Sequence, residues 1–348
     1  MKKVFVFMIF LFSMMACSSG GSVKGGITTE NLLNAVKVGD VEFIKAYKGD
    51  LDQSLNYQGQ TALHIAASCG HIDVINALIE RKVDVNTGDN SGWTALMSAA
   101  INGEANSVKA LLKAKADTEA FDKYGETALM KAAHDGHTDV VNVLISGNAD
   151  VNAINKKGET ALMIAAMEGM TNTIYALVMG KADLDAVNKN GDTALMLGAK
   201  KGKIASVRTL ISCKADLDKA DKNGETALMF VAKEGLFGIV KVLIAGKANV
   251  DLANNNGETA LILAAKKGQE EIVNALIVSK ADVNAVENDG MTALMWATGN
   301  GHAYIVGLLI SAKADINIKS KSGFSALNIA NVEGNVEIIK LLKKAGAK

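Results

Sequence analysis

The tripeptide Thr-Ala-Leu recurs along this chain at a fixed interval of 33 residues. A final copy reads Ser-Ala-Leu, and the copies begin at Thr61, Thr94, Thr127, Thr160, Thr193, Thr226, Thr259, Thr292 and Ser325. A fixed period of this length predicts a stack of similar small units, and not one domain closed around a single core. Each unit is too small to bury its apolar face alone, so we expect it to pack against its neighbours.

The segment 155–187 shows what one unit contains. Gly158 stands where a turn requires a residue that adopts positive φ. Thr160 is suited to cap a helix, because its hydroxyl can accept a hydrogen bond from a free backbone N–H of the first turn. Residues 161–166 are helix-forming and apolar almost all round, which predicts a buried helix. A second helix is predicted over 173–179, and the polar residues after it predict a hairpin loop.

A unit of helix, turn, helix and hairpin resembles the ankyrin repeat. The residues that carry the resemblance are Gly-x-Thr-Ala-Leu, the Ala-Ala pair of the first helix, a following Gly-His as at Gly70-His71, and Ala-Asp in the loop. They recur from about residue 26, where an incomplete unit begins at Gly26, to residue 348. The resemblance implies an all-α ankyrin-repeat solenoid of about ten helix-turn-helix-hairpin units, with the repeat domain over residues 27–348.

The Thr-Ala-Leu motif departs from the family pattern at two positions. Ala follows the Thr or Ser where the family usually has Pro, and His64 alone fills the histidine position two residues further on. Most other units have Met there. Because Met cannot join a Thr–His hydrogen-bond network between units, we expect packing to substitute for it.

Lysine occupies the position at which the family usually ends the second helix with Gly. These lysines, here called the lysine ladder, are Lys82, Lys115, Lys181, Lys214, Lys247, Lys280 and Lys313, with Asn148 in one further unit. If the backbone there is left-handed, each Lys costs about 1 kcal/mol relative to Gly. Two interpretations are open: favourable contact with the helix C-terminal dipole together with solubility, or a row that faces an anionic partner or lipid headgroups.

The N-terminal segment differs from the repeats. Two lysines precede an apolar run over residues 4–15, which is too short to span a bilayer and is typical of a signal peptide. A small residue followed at once by Cys17 resembles a bacterial lipoprotein signal. The resemblance implies a lipoprotein signal peptide over residues 1–16. It also implies that the segment 17–26 consists of an acylated Cys17, held in a lipid bilayer, and a flexible tether. The resemblance implies a location in the bacterial cell envelope but does not identify the membrane face. The alternative to a lipoprotein signal is an ordinary cleaved signal peptide.

Motifs of catalysis and metal binding are missing from the sequence. It has no nucleophile elbow, no phosphate-binding Gly-rich loop and no His-Glu-x-x-His. The nearest approach to a metal site is the segment 134–137, but a Gly should break the helix between its two histidines, and zinc needs three or four ligands. The aspartates that recur in the loops are suited to hydrogen bonding within turns. We therefore expect no enzymatic activity, no metal and no cofactor.

Three aromatic residues, Tyr57, Trp93 and Tyr124, fall on predicted hairpins of the first units. In ankyrin repeat proteins the partner usually lies along the hairpin tips and the first helices, so the resemblance implies that these residues bind a partner. Trp and Tyr are frequent anchors in protein interfaces. The alternative is that each ring packs on the neighbouring hairpin.

Lysines collect at the ends of the first helices in the middle of the chain. They are Lys200, Lys201, Lys233, Lys266 and Lys267. Carboxylates such as Asp192 and Glu258 are close by, so one interpretation is a solvated face of mixed charge. The other is a binding site for an acidic partner, which the lysines would steer more than hold.

One position inside the first helix is polar in two early units. Ser98 and Lys131 stand there, where the other units have large apolar residues. If this position faces the groove along the first helices, we expect the groove to be more polar and wetter in the N-terminal half.

These patterns predict a non-enzymatic scaffold for protein–protein interaction that binds an unidentified protein while anchored to a lipid bilayer. A different hypothesis is a protective or immunity partner that binds and modulates an exported enzyme or toxin. The 37 basic and 37 acidic side chains disfavour nucleic acid as the partner. Polar terminal units favour a monomer.

Overall fold

A computed structural model describes residues 28–347 of the chain. Within this range the protein consists of 20 helices and has three isolated β-bridges but no named strand. The helices alternate between the first and second helix of each 33-residue unit, which we call a repeat. The predicted all-α solenoid of about ten repeats is thereby confirmed.

The chain divides into two compact parts, an N-terminal part ending at Asp183 and a C-terminal part beginning at Leu184. The helices of the N-terminal part are α1 (Thr29–Val38), α2 (Val41–Ala46), α3 (Ala62–Cys69), α4 (Ile72–Glu80), α5 (Ala95–Ile101), α6 (Ala105–Lys113), α7 (Ala128–Asp135), α8 (Thr138–Ser146), α9 (Ala161–Glu168) and α10 (Thr171–Met179). Those of the C-terminal part are α11 (Ala194–Lys200), α12 (Ile204–Ser212), α13 (Ala227–Lys233), α14 (Phe237–Ala245), α15 (Ala260–Lys267), α16 (Glu270–Val278), α17 (Ala293–Gly299), α18 (Ala303–Ser311), α19 (Ala326–Glu333) and α20 (Val336–Lys344).

The repeated Thr begins each first helix by capping it. Thr160, for example, has an extended backbone, and its hydroxyl accepts a hydrogen bond of 3.3 Å from the N–H of Met163. The apolar residues that follow are buried on every side; Leu162 and Met163 are at most 1% exposed. The second helix of this repeat begins at Thr171, two residues earlier than predicted.

Hydrogen bonds between the loops fix the spacing of the repeats. In the N-terminal part, the N–H of Lys156 donates to the carbonyl of Tyr124 at 2.9 Å, which joins two successive hairpins. The N–H of Asp150 donates to Glu119 of the preceding repeat, also at 2.9 Å, and the Asp150 carboxylate accepts the N–H of Asn152. The prediction that the recurring aspartates act as hydrogen bonders in turns is confirmed.

All residues of the lysine ladder, and Asn148, have left-handed backbone, with φ between 59° and 69°. The geometry follows from how the helices end. After α14 the N–H of Ala248 donates back to the carbonyl of Leu243 at 3.0 Å, and this closing bond requires positive φ at Lys247. The ladder side chains are exposed, so the backbone strain is not offset by burial of the side chain.

We expect Lys247→Gly to raise the free energy of unfolding by up to about 1 kcal/mol, because Gly adopts positive φ without a clash at Cβ. Lys247→Ala is the matched control, since it removes the same charge but keeps the strained Cβ. Urea denaturation followed by circular dichroism measures both. A gain from Ala equal to that from Gly would show that charge, and not backbone strain, limits stability at this position.

Candidate interaction surface

Side chains from four positions of the repeat meet on one surface of the C-terminal part, which we call the groove. These positions are the fifth and the first residue before the capping Thr and the fourth and seventh residues after it. Lys200 Nζ lies 2.5 Å from Asp192 Oδ1 of its own repeat and 3.2 Å from Asp221 Oδ2 of the next. It also lies 5.4 Å from the centroid of the Phe230 ring. One lysine therefore connects two repeats.

The pairing of this lysine with the carboxylate before the capping Thr recurs in the two following repeats. Lys233 pairs with Glu225 at 3.2 Å and Lys266 with Glu258 at 2.9 Å. Lys266 Nζ also lies 3.9 Å from the centroid of the Trp296 ring. For these lysines and for Lys200, the structure matches the interpretation of a mixed-charge face, because each cation already has a carboxylate partner.

The groove charges stabilise one another. Burial lowers the pKa of Lys200, but hydrogen bonds and Coulomb attraction from Asp192 and Asp221 outweigh burial, and the net shift is upward. Burial raises the pKa of Glu258, whereas hydrogen bonds from Asn254 and Lys266 lower it, and the net shift is downward. Both groups therefore favour their charged forms.

Lys201 and Lys267 directly follow Lys200 and Lys266 in the sequence but differ from them in exposure and in charge pairing. Both are exposed, and neither forms an ion pair with another of the residues 28–347. Of the five lysines predicted to bind a partner, these two have charges that are not already paired inside the protein.

A buried charge cluster occupies the corresponding surface of the N-terminal part. Lys131 Nζ lies 2.7 Å from Asp122 Oδ2 and pairs also with Glu126. Trp93 donates its indole N–H to Asp122 at 3.1 Å, and Lys131 Nζ lies 4.6 Å from the centroid of the Trp93 ring. We call these four residues the Lys131 cluster.

The expectation of a wetter groove in this half is wrong at both polar positions. Lys131 is only 6% exposed, because two carboxylates and an indole ring enclose it. Ser98 is buried as well, and its hydroxyl donates to the carbonyl of Thr94 in its own helix. Internal partners thus replace water at these sites.

The three aromatic residues of the first hairpins have different environments. Tyr57 is 83% exposed and Tyr124 is 58% exposed. Trp93 is half-buried against the next repeat, as the packing alternative predicts. The structure adds two exposed apolar residues that the sequence analysis did not single out, Phe121 and Ile154. They stand at the same position of successive hairpins, and this periodicity is the signal that would have found them.

His64 connects two repeats through its imidazole ring. Its Nδ1 is 3.2 Å from the N–H of Thr61, and its Nε2 is 2.7 Å from the carbonyl of Trp93 in the next repeat. An acceptor Nδ1 leaves the proton on Nε2, so the neutral ring satisfies both bonds. Burial lowers the pKa of His64. Met97 at the equivalent position is fully buried and fills space instead, as expected.

His134 has an acidic neighbour but does not belong to a metal site. Its Nδ1 lies 2.5 Å from Asp135 Oδ1, and this hydrogen bond raises the pKa of His134. Across residues 28–347, no three His, Cys, Asp or Glu side chains are grouped so that they could hold a metal ion. The helices of this range are also too short or too polar to cross a membrane.

We expect Lys131→Ile to lower the free energy of unfolding by about 3 kcal/mol, because it leaves the Asp122 carboxylate buried without its cation. The double variant Asp122→Asn, Lys131→Ile should recover most of this loss. It reproduces the combination of Asn155 and Ile164 that the next repeat has naturally. Urea denaturation of the wild type, both single variants and the double variant measures the coupling. Additive single effects would contradict a shared cluster.

We expect His64 to reduce stability as the pH falls. Its folded pKa lies below the unfolded value of about 6.5, so the folded state resists protonation and the unfolded state gains protons first. The contribution is constant above that pH and declines below it. His64→Met, which copies the other repeats, should lose less stability than the wild type between about pH 7.5 and 5.5 in urea titrations. Because His134 is present in both proteins, its opposite effect cancels in the comparison, and equal losses would contradict the assignment.

Comparison with known proteins agrees with this geometry. The family model described as ankyrin repeats in three copies matches residues 32–122, 89–155, 129–221, 195–287 and 264–348. A crystal structure of an ankyrin repeat domain from Acinetobacter baumannii AYE is 34% identical with a TM-score of 0.51, over 54% of this chain and 98% of that domain. No curated protein matches the chain. Since the family matches extend from residue 32 to residue 348, the chain belongs to the ankyrin repeat family.

Proposed function

We propose that this protein is a non-enzymatic scaffold that binds another protein while acylated Cys17 holds it on a membrane of the bacterial envelope. Ankyrin repeats generally mediate protein–protein interaction, which supports the first part of the proposal. The supporting observation in this chain is the pair of exposed tyrosines, Tyr57 and Tyr124, on hairpins that hydrogen bonds hold in place.

Both tyrosines are fixed through their backbone and exposed at their side chains, and Lys123 Nζ lies 5.3 Å from the centroid of the Tyr124 ring. The carbonyl of Tyr57 accepts a hydrogen bond of 3.1 Å from the side-chain amide of Asn90, and the carbonyl of Tyr124 accepts one of 2.9 Å from the N–H of Lys156. A hairpin whose backbone is already held in position loses less conformational entropy when a partner binds. Trp93, on the hairpin between the two, is instead engaged in the Lys131 cluster.

The lysines of the groove are proposed to have two different roles. Lys200, Lys233 and Lys266 are each paired with a carboxylate of their own repeat, so they add little net charge to the groove. Lys201 and Lys267 are unpaired and exposed, and they would steer an acidic segment of the partner. We therefore expect salt to slow association more than it weakens the bound complex.

The anchor is proposed from the sequence alone. The signal peptide at 1–16, Cys17 and the tether up to residue 26 lie outside the described residues. The short apolar run, the small residue before Cys17 and the Gly/Ser-rich segment after it support acylation. Acylation with more than one chain would hold the protein firmly on the bilayer.

Affinity capture from detergent-solubilised envelope tests the proposal. We expect Tyr57→Ala, Tyr124→Ala to lower the affinity for the captured protein by tenfold or more, roughly the effect of losing an interface anchor. The matched control is Tyr175→Ala, Tyr304→Ala, which removes two equally exposed tyrosines from second helices. Trp93 stays unchanged, because its loss would disturb the Lys131 cluster. Equal capture by the two double variants would contradict the role of the tips.

The same experiment with Cys17→Ser tests the anchor. We expect this variant to leave the membrane fraction but to retain its partner in solution. A captured enzyme or toxin whose activity changes on stoichiometric binding would favour the protective or immunity function over a passive scaffold. Retention of Cys17→Ser in the membrane fraction would contradict acylation as the anchor.

A further inference from the structure

One outer face of the C-terminal part has cations and no acidic residue. Its two second helices, α12 and α14, pack side by side, so closely that a Cβ added at Gly238 would lie 3.3 Å from Ile204 Cδ1. The segments 203–214 and 236–247 contain no Asp or Glu. The whole chain has equal numbers of acidic and basic side chains. A face that carries cations and no acidic residue is therefore markedly different from the average surface.

Four exposed cations mark the corners of the face. Arg208 and Lys241 stand at the same position of successive second helices, and Lys214 and Lys247 follow the ends of these helices as members of the lysine ladder. Neighbouring helices lie roughly 10 Å apart, and six residues along a helix span about 9 Å. The backbone positions of the four residues therefore mark an approximate square, which we call the cation square.

The cations of this square are not neutralised by the protein. Within residues 28–347, none of the four forms an ion pair. Lys241 Nζ lies 4.7 Å from the centroid of the Phe237 ring, which is a contact that keeps its charge available. This distinguishes the square from the groove, where carboxylates pair with most of the lysines.

Acidic residues adjoin the two segments in the sequence: Glu234 is exposed and precedes α14, and those in the loops that follow the two helices already have hydrogen-bond partners. Asp216 accepts the N–H of Asp218, and Asp218 accepts the N–H of Asn249, at 2.9 and 2.8 Å. Asp251 likewise accepts the N–H of Asp282. In the next repeat, Glu270 and Glu271 begin α16, so the acid-free face ends there.

The exposed surface of the two helices around the cations is made mainly of small residues. The exposed positions of the two helices are Ala205, Ser212, Gly238 and Ala245, and the only large apolar residue among them is Ile204, which is 38% exposed. Short side chains allow a broad, flat partner to approach the cations. A protein interface typically requires pockets for its anchors, and Ile204 is the single exposed large apolar side chain that these two helices offer to form one.

We propose that the cation square docks on an anionic lipid surface. The choice of lipid over an acidic protein rests on the proposed anchor at Cys17, which keeps the chain beside a bilayer, and on the flat, acid-free face. Basic residues close to an anionic bilayer each add to its attraction for a protein. Docking would also give the strained lysines at 214 and 247 a function that Gly could not supply.

Lysine acetylation of the full-length chain tests which face touches lipid. The protein is mixed with vesicles of phosphatidylcholine alone or of phosphatidylcholine with phosphatidylglycerol, and modified lysines are identified by mass spectrometry. We expect the anionic vesicles alone to slow acetylation of Lys214, Lys241 and Lys247. Lys280 and Lys313, two ladder lysines beyond the acid-free face, should react at an unchanged rate and serve as controls within the same molecule.

A variant with a register-matched control tests the affinity. Arg208, Lys214, Lys241 and Lys247 are replaced together by Gln, and the control replaces Lys109, Lys340, Lys280 and Lys313, which occupy the same two positions in other repeats. We expect loss of the square to lower vesicle binding about fivefold for each cation removed. The control changes net charge equally and should bind nearly as the wild type does. Any contribution of the N-terminal segment is common to all three proteins.

Three outcomes would overturn the proposal. Equal loss of binding in the variant and its control would show that net charge acts without a specific face. Equal protection by soluble polyaspartate and by anionic vesicles would indicate an acidic polypeptide as the partner. If the protein binds the vesicles while Lys214, Lys241 and Lys247 stay fully reactive, an N-terminal anchor holds it and the face does not contact lipid. In that last case the proposed anchor stands and this inference fails.

Discussion

The fold depends on contact between successive repeats. A first helix such as α9 is apolar on every side and only eight residues long, so alone in water it would be neither stable nor soluble. Its neighbours bury it, and the ladder of loop hydrogen bonds sets the spacing at which they do so. Every surface described here follows from this requirement, because residues at equal positions in the motif become neighbours in space.

Lysines of the first helix nevertheless have different environments in the two parts of the chain. In the N-terminal part a lysine in the middle of a first helix is buried in the Lys131 cluster. In the C-terminal part the lysines stand three residues later, where they are partly exposed and paired with a carboxylate of their own repeat. Lys131, Lys200 and Lys266 each lie against a carboxylate and against an aromatic ring of an adjacent repeat. Much of the charge that looks available in the sequence is therefore part of the structure.

Three surfaces remain for binding after these internal contacts are set aside. They are the tyrosine tips, the unpaired lysines at the edge of the groove, and the cation square. The first two lie along the hairpins and first helices and suit a protein partner. The third lies on second helices and suits an extended anionic surface.

The sequence alone determined the repeat, its capping Thr, the buried first helix and the row of lysines at the end of the second helix. Each of these is local or periodic, since it depends on the conformational preferences of a few residues repeated at a fixed interval. Only the tertiary structure decided that Trp93 and Lys131 are enclosed, that Lys200 is paired while Lys201 is free, and that Arg208 and Lys241 are not neutralised. These differences depend on which side chains of neighbouring repeats come within reach of one another, and distances of a few ångströms across repeats are not encoded in the period.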